Sequence, residues 1–198
     1  MSCNELTLLK QLIAIPSPSG GEAATREFLA GILAGAGLQI SVQSFLPERA
    51  NLLARSGTGG KYCLLLSAHM DTEMAENASQ WEHAPFDAAE LRGRIYGRGA
   101  NDTKGTLAAF MQALIESAAS IHSGEVMLVL TCSGETDNSG AFALREHDWL
   151  NGRSVTGVIV GETSYDEKYK SVFRSYPSIR LGGTGRMEVA MTGDFSSL

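Results

Sequence analysis

The sequence lacks any excess of positive charge. It contains 16 lysine and arginine residues against 22 aspartate and glutamate residues, for a formal net charge of −6 at pH 7, and it has no long basic run. Nucleic acids and anionic membrane surfaces attract basic patches. The composition therefore argues against both as partners and favours a small-molecule or peptide substrate.

Long hydrophobic runs are also missing, since no apolar stretch approaches the ~20 residues that a membrane-spanning helix needs. Hydrophobic residues nevertheless make up 43% of the 198 positions, enough to fill the core of one large domain. The N-terminal segment places Asn4, Glu5 and Lys10 among its apolar residues, instead of a basic stretch followed by an apolar one. We therefore expect no signal peptide.

Cysteine is scarce, and its count is odd: Cys3, Cys63 and Cys132. The last two lie inside apolar runs that are typical of buried strands, where a free thiol behaves as a small hydrophobic side chain. This pattern favours a reducing compartment. Together with the missing signal and membrane segments, it leads us to expect a soluble cytoplasmic protein.

Three apolar runs, at residues 62–68, 126–131 and 155–160, predict the buried strands of a central sheet. Helical patterns at residues 105–119 and about 139–149 separate them. Strands that alternate with helices predict an α/β domain with three layers, in which a mostly parallel sheet has helices on both faces. The carboxyl ends of the three strands should then share one edge, where open α/β sheets bind ligands.

Further elements are predicted on the N-terminal side. Apolar residues at helical spacing begin at Leu6, and this helix must end near Ile15 because two prolines follow. Ser19 and Glu22 have the spacing of a capping box, which predicts the start of a second helix. Residues 38–45 and 51–55 are rich in strand formers. Residues 72–98 show little periodicity, and so long a loop inside a compact domain is usually functional.

Acidic side chains and one histidine follow the three predicted strands. They are His69 and Asp71 after the first strand, Glu135 after the second, Glu162 after the third, and Asp102 in a glycine-rich loop at residues 97–105. One imidazole among several carboxylates suits zinc, cobalt or manganese. Carboxylates that converge without a cation would repel one another and be costly to bury. The sequence therefore predicts a divalent-metal site at this edge.

Each of these residues also has a simpler explanation when taken alone. His69 can be an ordinary hydrogen-bonded histidine, Asp71 can cap a turn, and Asp102 can cap the helix that begins near Thr103. Glu135 and Glu162 can be solvated loop acids. The loop at 97–105 can also be read as a phosphate cradle, yet it lacks the Gly-Lys-Ser/Thr ending of a P-loop. Joint placement at one edge is what favours the metal site.

Five stretches, in order, resemble the successive motifs of a known metallohydrolase family. They are residues 69–72, the loop containing Trp81, Pro85 and Phe86, residues 93–105, Glu135 followed by Gly140-Ala141, and residues 161–164. The family includes acetylornithine deacetylase, succinyl-diaminopimelate desuccinylase, aminoacylase and carboxypeptidase G. Residues 12–22 and 49–54 are similar to its N-terminal region, so the resemblance runs through nearly the whole chain.

The resemblance implies a di-metal hydrolase. His69 and Glu162 would bind one ion, and Asp102 would bridge to a second ion held by Glu135. Asp71 would accept the other ring N–H of His69 and fix its tautomer. The two divalent ions would be zinc, with cobalt or manganese as alternatives. The reaction would be hydrolysis of the amide bond of an N-acyl amino acid or short peptide. Among the family's activities, one like that of acetylornithine deacetylase is expected first.

One position departs from the family pattern. Family members carry two adjacent glutamates here, first the general base and then a metal ligand, and a gap-free comparison puts Gly134 at the base position and Glu135 at the ligand position. A shift by one residue would make Glu135 the base and leave Thr136 or Asp137 as ligand. The alternative to an active hydrolase is therefore a catalytically impaired or non-catalytic homologue that binds metal or an amino-acid ligand. A purely structural α/β interaction module is a third reading.

The resemblance also predicts the domain organisation. Residues 1–180 would form the metal-binding catalytic domain, incomplete here, and residues 181–198 would begin a small lid or dimerisation domain. The family returns from that domain with a late metal-binding histidine, so we expect this chain to be a truncated version of the full enzyme. Dimer contacts of the family would lie in the same small domain, which allows a homodimer of the full-length protein.

Overall fold

The computed structural model describes residues 4–59, 62–150, 153–162 and 178–180. Its helices are α1 (Glu5–Ile13), α2 (Ala23–Gly35), α3 (Gly105–Ser117) and α4 (Ser139–Ala143). Its strands are β1 (Gln39–Leu46), β2 (Arg49–Gly59), β3 (Cys63–His69), β4 (Ala89–Leu91), β5 (Arg94–Tyr96), β6 (Gly124–Thr131), β7 (Val155–Val160) and β8 (Ser178–Arg180).

A six-stranded sheet in the order β1-β2-β6-β3-β7-β8 forms the centre of the fold, and β4 and β5 form a separate hairpin. Strand β3 lies between β6 and β7 and runs parallel to both. The carboxyl ends of these three strands therefore meet at one edge, which we call the carboxyl edge. The flanking pairs β1–β2, β2–β6 and β7–β8 are antiparallel.

The predicted α/β class with three parallel buried strands is confirmed, and the complete sheet is mixed rather than mostly parallel. Only two residues, Pro47 and Glu48, connect β1 to β2. A connection that short permits antiparallel pairing alone, whereas parallel neighbours need a long crossover. The parallel strands of the trio are the ones that long helical connections separate.

One face of the sheet packs against α1, α2 and α3. Leu12 of α1, Leu29 of α2 and Leu107 of α3 are fully buried, in one cluster with Leu52 and Leu128 of the sheet. Each buried leucine side chain stabilises the fold by about 1.5–3 kcal/mol relative to an exposed one. This packing fixes the helices that carry the loops of the carboxyl edge.

The other face of the sheet is covered by the segment after β6, where Met127 and Val129 pack with Trp149 and Leu150. The helix predicted over about 139–149 is shorter than expected, since α4 ends at Ala143. The chain is extended at His147, after which the apolar residues turn onto the sheet. Tertiary packing thus overrides the helical periodicity, and both faces are covered as predicted.

The capping box predicted from Ser19 and Glu22 is wrong. Glu22 is itself the residue before α2, and no side-chain hydrogen bond caps that helix. Glu22 is instead 2% exposed and accepts hydrogen bonds from other segments, while the Ser19 hydroxyl donates to Asp71. Tertiary partners compete for these polar groups more strongly than the helix terminus does.

The C-terminal predictions lie outside the described residues. They concern the start of a lid or dimerisation domain at 181–198. In the described ranges the longest helices, α2 and α3, have 13 residues each, and none is long and apolar enough to cross a membrane.

Candidate metal centre

The carboxyl edge brings together the chain segments that follow β3, β6 and β7. Strand β3 ends at His69, which pairs in register with Thr131, the last residue of β6. After β7, the Gly161 amide donates a hydrogen bond of 2.7 Å to the Ser67 carbonyl and so extends the pairing to the start of the next loop. His69, Glu135 and Glu162 therefore leave the sheet at the same place.

The His69 ring is the centre of this arrangement and is only 5% exposed. Its Nδ1 lies 2.9 Å from the backbone carbonyl oxygen of Asp71, so the Nδ1–H donates there and Nε2 faces the edge. Nε2 is 3.2 Å from Asp102 Oδ1 and 3.5 Å from Glu162 Oε1. The ring is thus oriented with Nε2 toward the Asp102 and Glu162 carboxylates.

Electrostatics at the ring favour positive charge. Burial lowers the pKa of His69, but the neighbouring Asp102 and Asp71 carboxylates outweigh burial and raise it to about 10. The same carboxylates would stabilise a divalent cation bound to Nε2 in place of a proton. The geometry and charge around His69 Nε2 therefore suit either a proton or a divalent metal ion.

Three donor atoms converge closely enough to share one cation. One ligand atom from each of His69, Asp102 and Glu135 lies within 4.8 Å of the others. Ligand atoms about 2.0–2.2 Å from a zinc ion are at most about 4.4 Å apart, so these three donors need to move only slightly closer together to hold one. Burial, followed by the charge of Asp102, raises the pKa of Glu135, which is the result expected for acids gathered without neutralisation. The donors fit a borderline divalent metal such as zinc.

Asp71 ties the histidine to the loop of Glu135. This carboxylate is 1% exposed and accepts hydrogen bonds from the Gly134 amide at 2.8 Å, the Glu135 amide at 3.0 Å and the Ser19 hydroxyl at 2.5 Å. Its Oδ1 lies 3.4 Å from His69 Nδ1, farther than its own carbonyl oxygen. Burial raises the pKa of Asp71, but hydrogen bonds led by His69 and Ser19 lower it to about 2. Asp71 therefore stays ionised and positions both neighbours.

Asp102 lies on an irregular turn, Ala100–Lys104, whose Asp102–Thr103 peptide bond is cis. The Thr103 hydroxyl donates to the His69 carbonyl at 2.9 Å, and the buried Lys104 ammonium donates to the Leu12 and Ile15 carbonyls at 2.9 and 2.7 Å. Burial lowers the pKa of Lys104 to about 8. These bonds fix Asp102 between β3 and α1.

The simpler explanations of this turn do not agree with the structure. Helix α3 begins at Gly105, its preceding residue is Lys104, and no side-chain hydrogen bond caps it, so Asp102 is not its cap. In a phosphate cradle the lysine would reach toward the ligand. Here Lys104 is occupied by the carbonyls at the end of α1.

Gly134 lies so close to the His69 ring that a side chain at this position would clash with it. A Cβ atom at this position would be 2.3 Å from His69 Cγ and 2.6 Å from His69 Cβ. Contacts this short do not occur, so any other residue requires the ring or the loop to move. Position 134, which the gap-free comparison aligns with the family's general base, therefore has no room for a larger side chain in this arrangement.

A buried ionic network behind the same loop was not found by sequence reasoning. The Arg49 guanidinium donates to Glu22 Oε1 at 3.2 Å and to the Ser133 hydroxyl, and the Ser133 amide donates to Glu22 Oε1 at 3.3 Å. This network supports the segment that carries Glu135. Residues this far apart in the chain give no local signal of their pairing, although Glu22 was singled out for another role.

A cavity of about 560 Å³ opens beside Glu135. Its lining comes from the segment between α1 and α2 and from the loops after β3, β5 and β6. The lining residues include Ser19, Thr72, Glu73, Glu76, Arg98 and Thr136. Small-molecule sites have volumes of about 300–1,000 Å³. The cavity is therefore of a size to hold a substrate next to the converging acids, and the long loop at 72–98 supplies part of its wall.

Comparison with known proteins shows the family to which the chain belongs. The family model described as peptidase family M20/M25/M40 matches residues 65–189, more than half of the chain, and the chain belongs to this family. The resemblance found in the motifs is confirmed. A succinyl-diaminopimelate desuccinylase of Pseudoalteromonas atlantica is 34% identical over 172 residues, which cover 83% of this chain and 44% of that protein.

Other similar proteins are also peptidases or desuccinylases by name. A probable succinyl-diaminopimelate desuccinylase of Staphylococcus epidermidis is 30% identical, over 84% of this chain and 41% of the relative. The crystal structure of an M20 family metallo-carboxypeptidase from Sulfolobus solfataricus superposes with a TM-score of 0.69 at 25% identity, over 83% of this chain and 38% of that one. Human carnosine dipeptidase 1, at 20% identity and a TM-score of 0.69, shares the fold over 81% of this chain and 38% of its own. The chain spans less than half the length of these relatives.

Proposed function

We propose that this chain supplies the metal-binding part of a hydrolase that cleaves the amide bond of an N-acyl amino acid or short peptide. The observation that carries the proposal is the convergence of His69, Asp102 and Glu135 donor atoms within 4.8 Å at the carboxyl edge. Membership in a peptidase family and the desuccinylase names of its relatives support the same reaction class.

The ligand roles are part of the proposal. His69 and Glu162 would hold one divalent ion, and Asp102 would bridge to a second ion held by Glu135. Zinc is the first choice, with cobalt or manganese as alternatives. When bound, such ions polarise the scissile carbonyl and lower the pKa of a water molecule. The 3.2 and 3.5 Å approaches of Asp102 and Glu162 to His69 Nε2 support the shared site.

The protein's own residues orient this site. The Asp71 carbonyl accepts the Nδ1–H of His69 and leaves Nε2 as the donor toward the edge. The Asp71 carboxylate holds the Glu135 amide, so the loop cannot withdraw from the ring without breaking that bond. In the alignment shifted by one residue, Glu135 would instead be the general base, since it borders the cavity and burial raises its pKa.

A second candidate function has its own supporting observation. The close contact between Gly134 and His69 leaves no side chain at the position where the family carries its base. A homologue that binds metal or an amino-acid ligand without turning it over would have this arrangement. Loss of a general base lowers rates by about 10²–10⁴-fold.

Metal content and turnover together test the proposal. Purified protein dialysed against zinc should hold one to two ions per chain by mass spectrometry of the metal, and it should hydrolyse at least one of N-acetylornithine, N-succinyl-diaminopimelate or a dipeptide. Bound zinc without turnover would favour the non-catalytic homologue. Absence of bound zinc, cobalt and manganese would contradict the hydrolase and a metal-binding homologue, and would favour a structural module or a homologue that binds only an amino-acid ligand.

Location and assembly complete the proposal. We assign the protein to the cytoplasm, which agrees with the buried free thiols of Cys63 and Cys132 and with an amino-acid substrate. The substrate is a small molecule rather than a nucleic acid or a membrane lipid. We propose that the whole protein can assemble as a homodimer. Size-exclusion chromatography with light scattering on the full-length protein measures this last point.

A further inference from the structure

Arg98 is held rigidly at the wall of the cavity beside Glu135. Its amide donates a hydrogen bond of 2.7 Å to the Pro85 carbonyl, and its guanidinium lies over the Trp81 ring, 4.9 Å from the ring centroid. The side chain is only 26% exposed. Stacking on an aromatic face keeps a guanidinium in one orientation and leaves its N–H groups directed outward in the ring plane.

Part of the hydrogen-bonding capacity of this guanidinium is unused among the described residues. Within the described part of the chain its buried Nε has no hydrogen-bond partner. The neighbouring acid, Glu73, approaches no closer than 3.7 Å, beyond hydrogen-bonding distance, and its side chain is 70% exposed. A guanidinium has five N–H donors in a planar fork that matches a carboxylate. Arg98 is therefore ready to receive a planar anion.

The charge of the cavity makes Arg98 its anion-binding point. The charged side chains that line it in the described ranges are Glu73, Glu76, Glu135 and Arg98. A negatively charged ligand group would be repelled by the three acids unless a cation faces it. Glu135 marks the end of the cavity nearest to His69 and Asp102.

We propose that Arg98 binds a free carboxylate of the substrate, and thereby positions the scissile amide toward Glu135 and the proposed metal ligands. This inference rests on the proposed function and assigns a binding residue to a carboxylate that lies away from the bond that is cleaved. The carboxylate has two chemical sources, the α-carboxylate of an N-acyl amino acid and the terminal carboxylate of a dicarboxylic acyl group. Glu73 forms a loose ion pair with the Arg98 guanidinium, and the substrate carboxylate displaces it.

Binding measurements on zinc-loaded protein test the assignment without requiring turnover. The probes are N-acetylalanine, with a carboxylate on the amino-acid side, succinamic acid, with a carboxylate on the acyl side, and N-acetylalaninamide, with none. By isothermal titration, Arg98→Gln should weaken binding of at least one carboxylate probe by about 10- to 100-fold. It should leave the amide probe unchanged. Which carboxylate probe responds identifies the source.

Matched variants separate the assignment from general effects on charge or folding. Arg98→Lys keeps the charge but loses the fork, so its affinity should fall between wild type and Arg98→Gln. Arg94→Gln removes an exposed arginine of β5 outside the cavity and should change none of the affinities. Equal affinity of wild type and Arg98→Gln for both carboxylate probes, with thermal melting showing a folded protein, overturns the proposal.

Glu73 gives a test of opposite sign. Because it competes for Arg98, Glu73→Gln should tighten binding of the responding carboxylate probe by about 2- to 5-fold, the gain expected from removing an exposed ion pair. Glu76→Gln, which removes a charge from the same cavity without a contact to Arg98, should tighten it less. Weaker binding in Glu73→Gln would overturn the competition.

Failure of this inference and failure of the proposed function can be told apart. Loss of carboxylate binding in Arg98→Gln, in a protein that hydrolyses none of the amides, supports the assignment of Arg98 and contradicts the hydrolase. Hydrolysis with a KM that Arg98→Gln leaves unchanged supports the hydrolase and contradicts the assignment. A raised KM with a smaller change in kcat supports both.

Discussion

Acidic side chains at the two ends of strand β6 differ in whether protein cations neutralise them. At its amino end, Glu125 is 6% exposed and paired by protein cations, with Arg153 Nε at 2.5 Å and Arg55 at 3.9 Å. At its carboxyl end, the Glu135 loop joins Asp102 and Glu162 around one imidazole, that of His69. The charge of Glu125 is neutralised by its arginine partners. The single His69 ring, by contrast, cannot neutralise the three carboxylates around it.

The difference separates a structural ion pair from a candidate metal centre. A buried acid with two arginines is neutralised and gains little from an added ion, and removing one partner is strongly destabilising. Acids gathered around a single histidine lower their mutual repulsion by binding a divalent cation. The following experiments test whether the two ends of β6 differ in this way.

Removing the shared imidazole should have the largest effect. We expect His69→Ala to lower zinc affinity by more than about 100-fold, since losing only a supporting partner of a ligand already costs 10–100-fold. Competition with a chromogenic chelator measures this affinity. Glu125→Gln is the matched control at the other end of β6. It should keep its zinc while losing about 3–5 kcal/mol of unfolding free energy.

The comparison would fail if the two variants behaved alike. Zinc binding that survives in His69→Ala, or that is lost equally in a folded Glu125→Gln protein, would remove the distinction between the two ends.

Loosening the Glu135 loop should have the next largest effect. In Asp71→Asn, an amide group replaces the carboxylate that accepts from the Gly134 and Glu135 amides. We expect zinc affinity to fall by about 10–100-fold. Ser19→Ala removes one donor to the same carboxylate and should cost less. An unchanged affinity in Asp71→Asn would mean that the loop does not depend on this anchor.

Filling the space at Gly134 should weaken the site. A Cβ there would lie 2.3 Å from His69 Cγ, so Gly134→Ala should cost about 1–3 kcal/mol of unfolding free energy and also lower zinc affinity. Gly134→Glu should do the same and should not raise the hydrolysis rate. A raised rate would instead show that the loop can move and that a base at this position is productive.

Acid should weaken the carboxyl edge through Asp71. Its pKa is lowered to about 2 in the folded protein from an ordinary 3.8, so its stabilising contribution is present above about pH 4 and is lost as the pH falls toward 2. The difference in unfolding free energy between wild type and Asp71→Asn should therefore shrink by about 1–2 kcal/mol between pH 5 and pH 2. Urea titrations at a series of pH values measure it. A constant difference would contradict the low pKa.

Sequence reasoning predicted the parts of the fold that have local signals. The apolar runs of β3, β6 and β7 and the helical pattern of α3 are all found near their predicted positions. It failed where contacts distant in sequence decide the outcome. Ser19 and Glu22 have the spacing of a capping box but bond to Asp71 and Arg49, and α4 is cut short where Trp149 packs on the sheet.

The candidate site divides in the same way. His69, Asp102, Glu135 and Glu162 were predicted from strand ends and motifs, and the structure places them near one another because parallel strands bring their carboxyl ends to one edge. Arg98, by contrast, had no recognised role in the sequence. Its stacking on Trp81 and its place in the cavity depend on how the loop at 72–98 folds back, which no local pattern encodes.

The sequence by itself determined the class of fold, the family and the acids that could meet a cation, because periodicity and strand-end motifs are written in neighbouring residues. Only the tertiary structure decided which oxygen holds the His69 tautomer, that Gly134 touches the His69 ring, and that Arg98 faces the cavity. Those are distances between segments far apart in the chain. They follow from the packing of helices and loops on the sheet, to which every part of the molecule contributes.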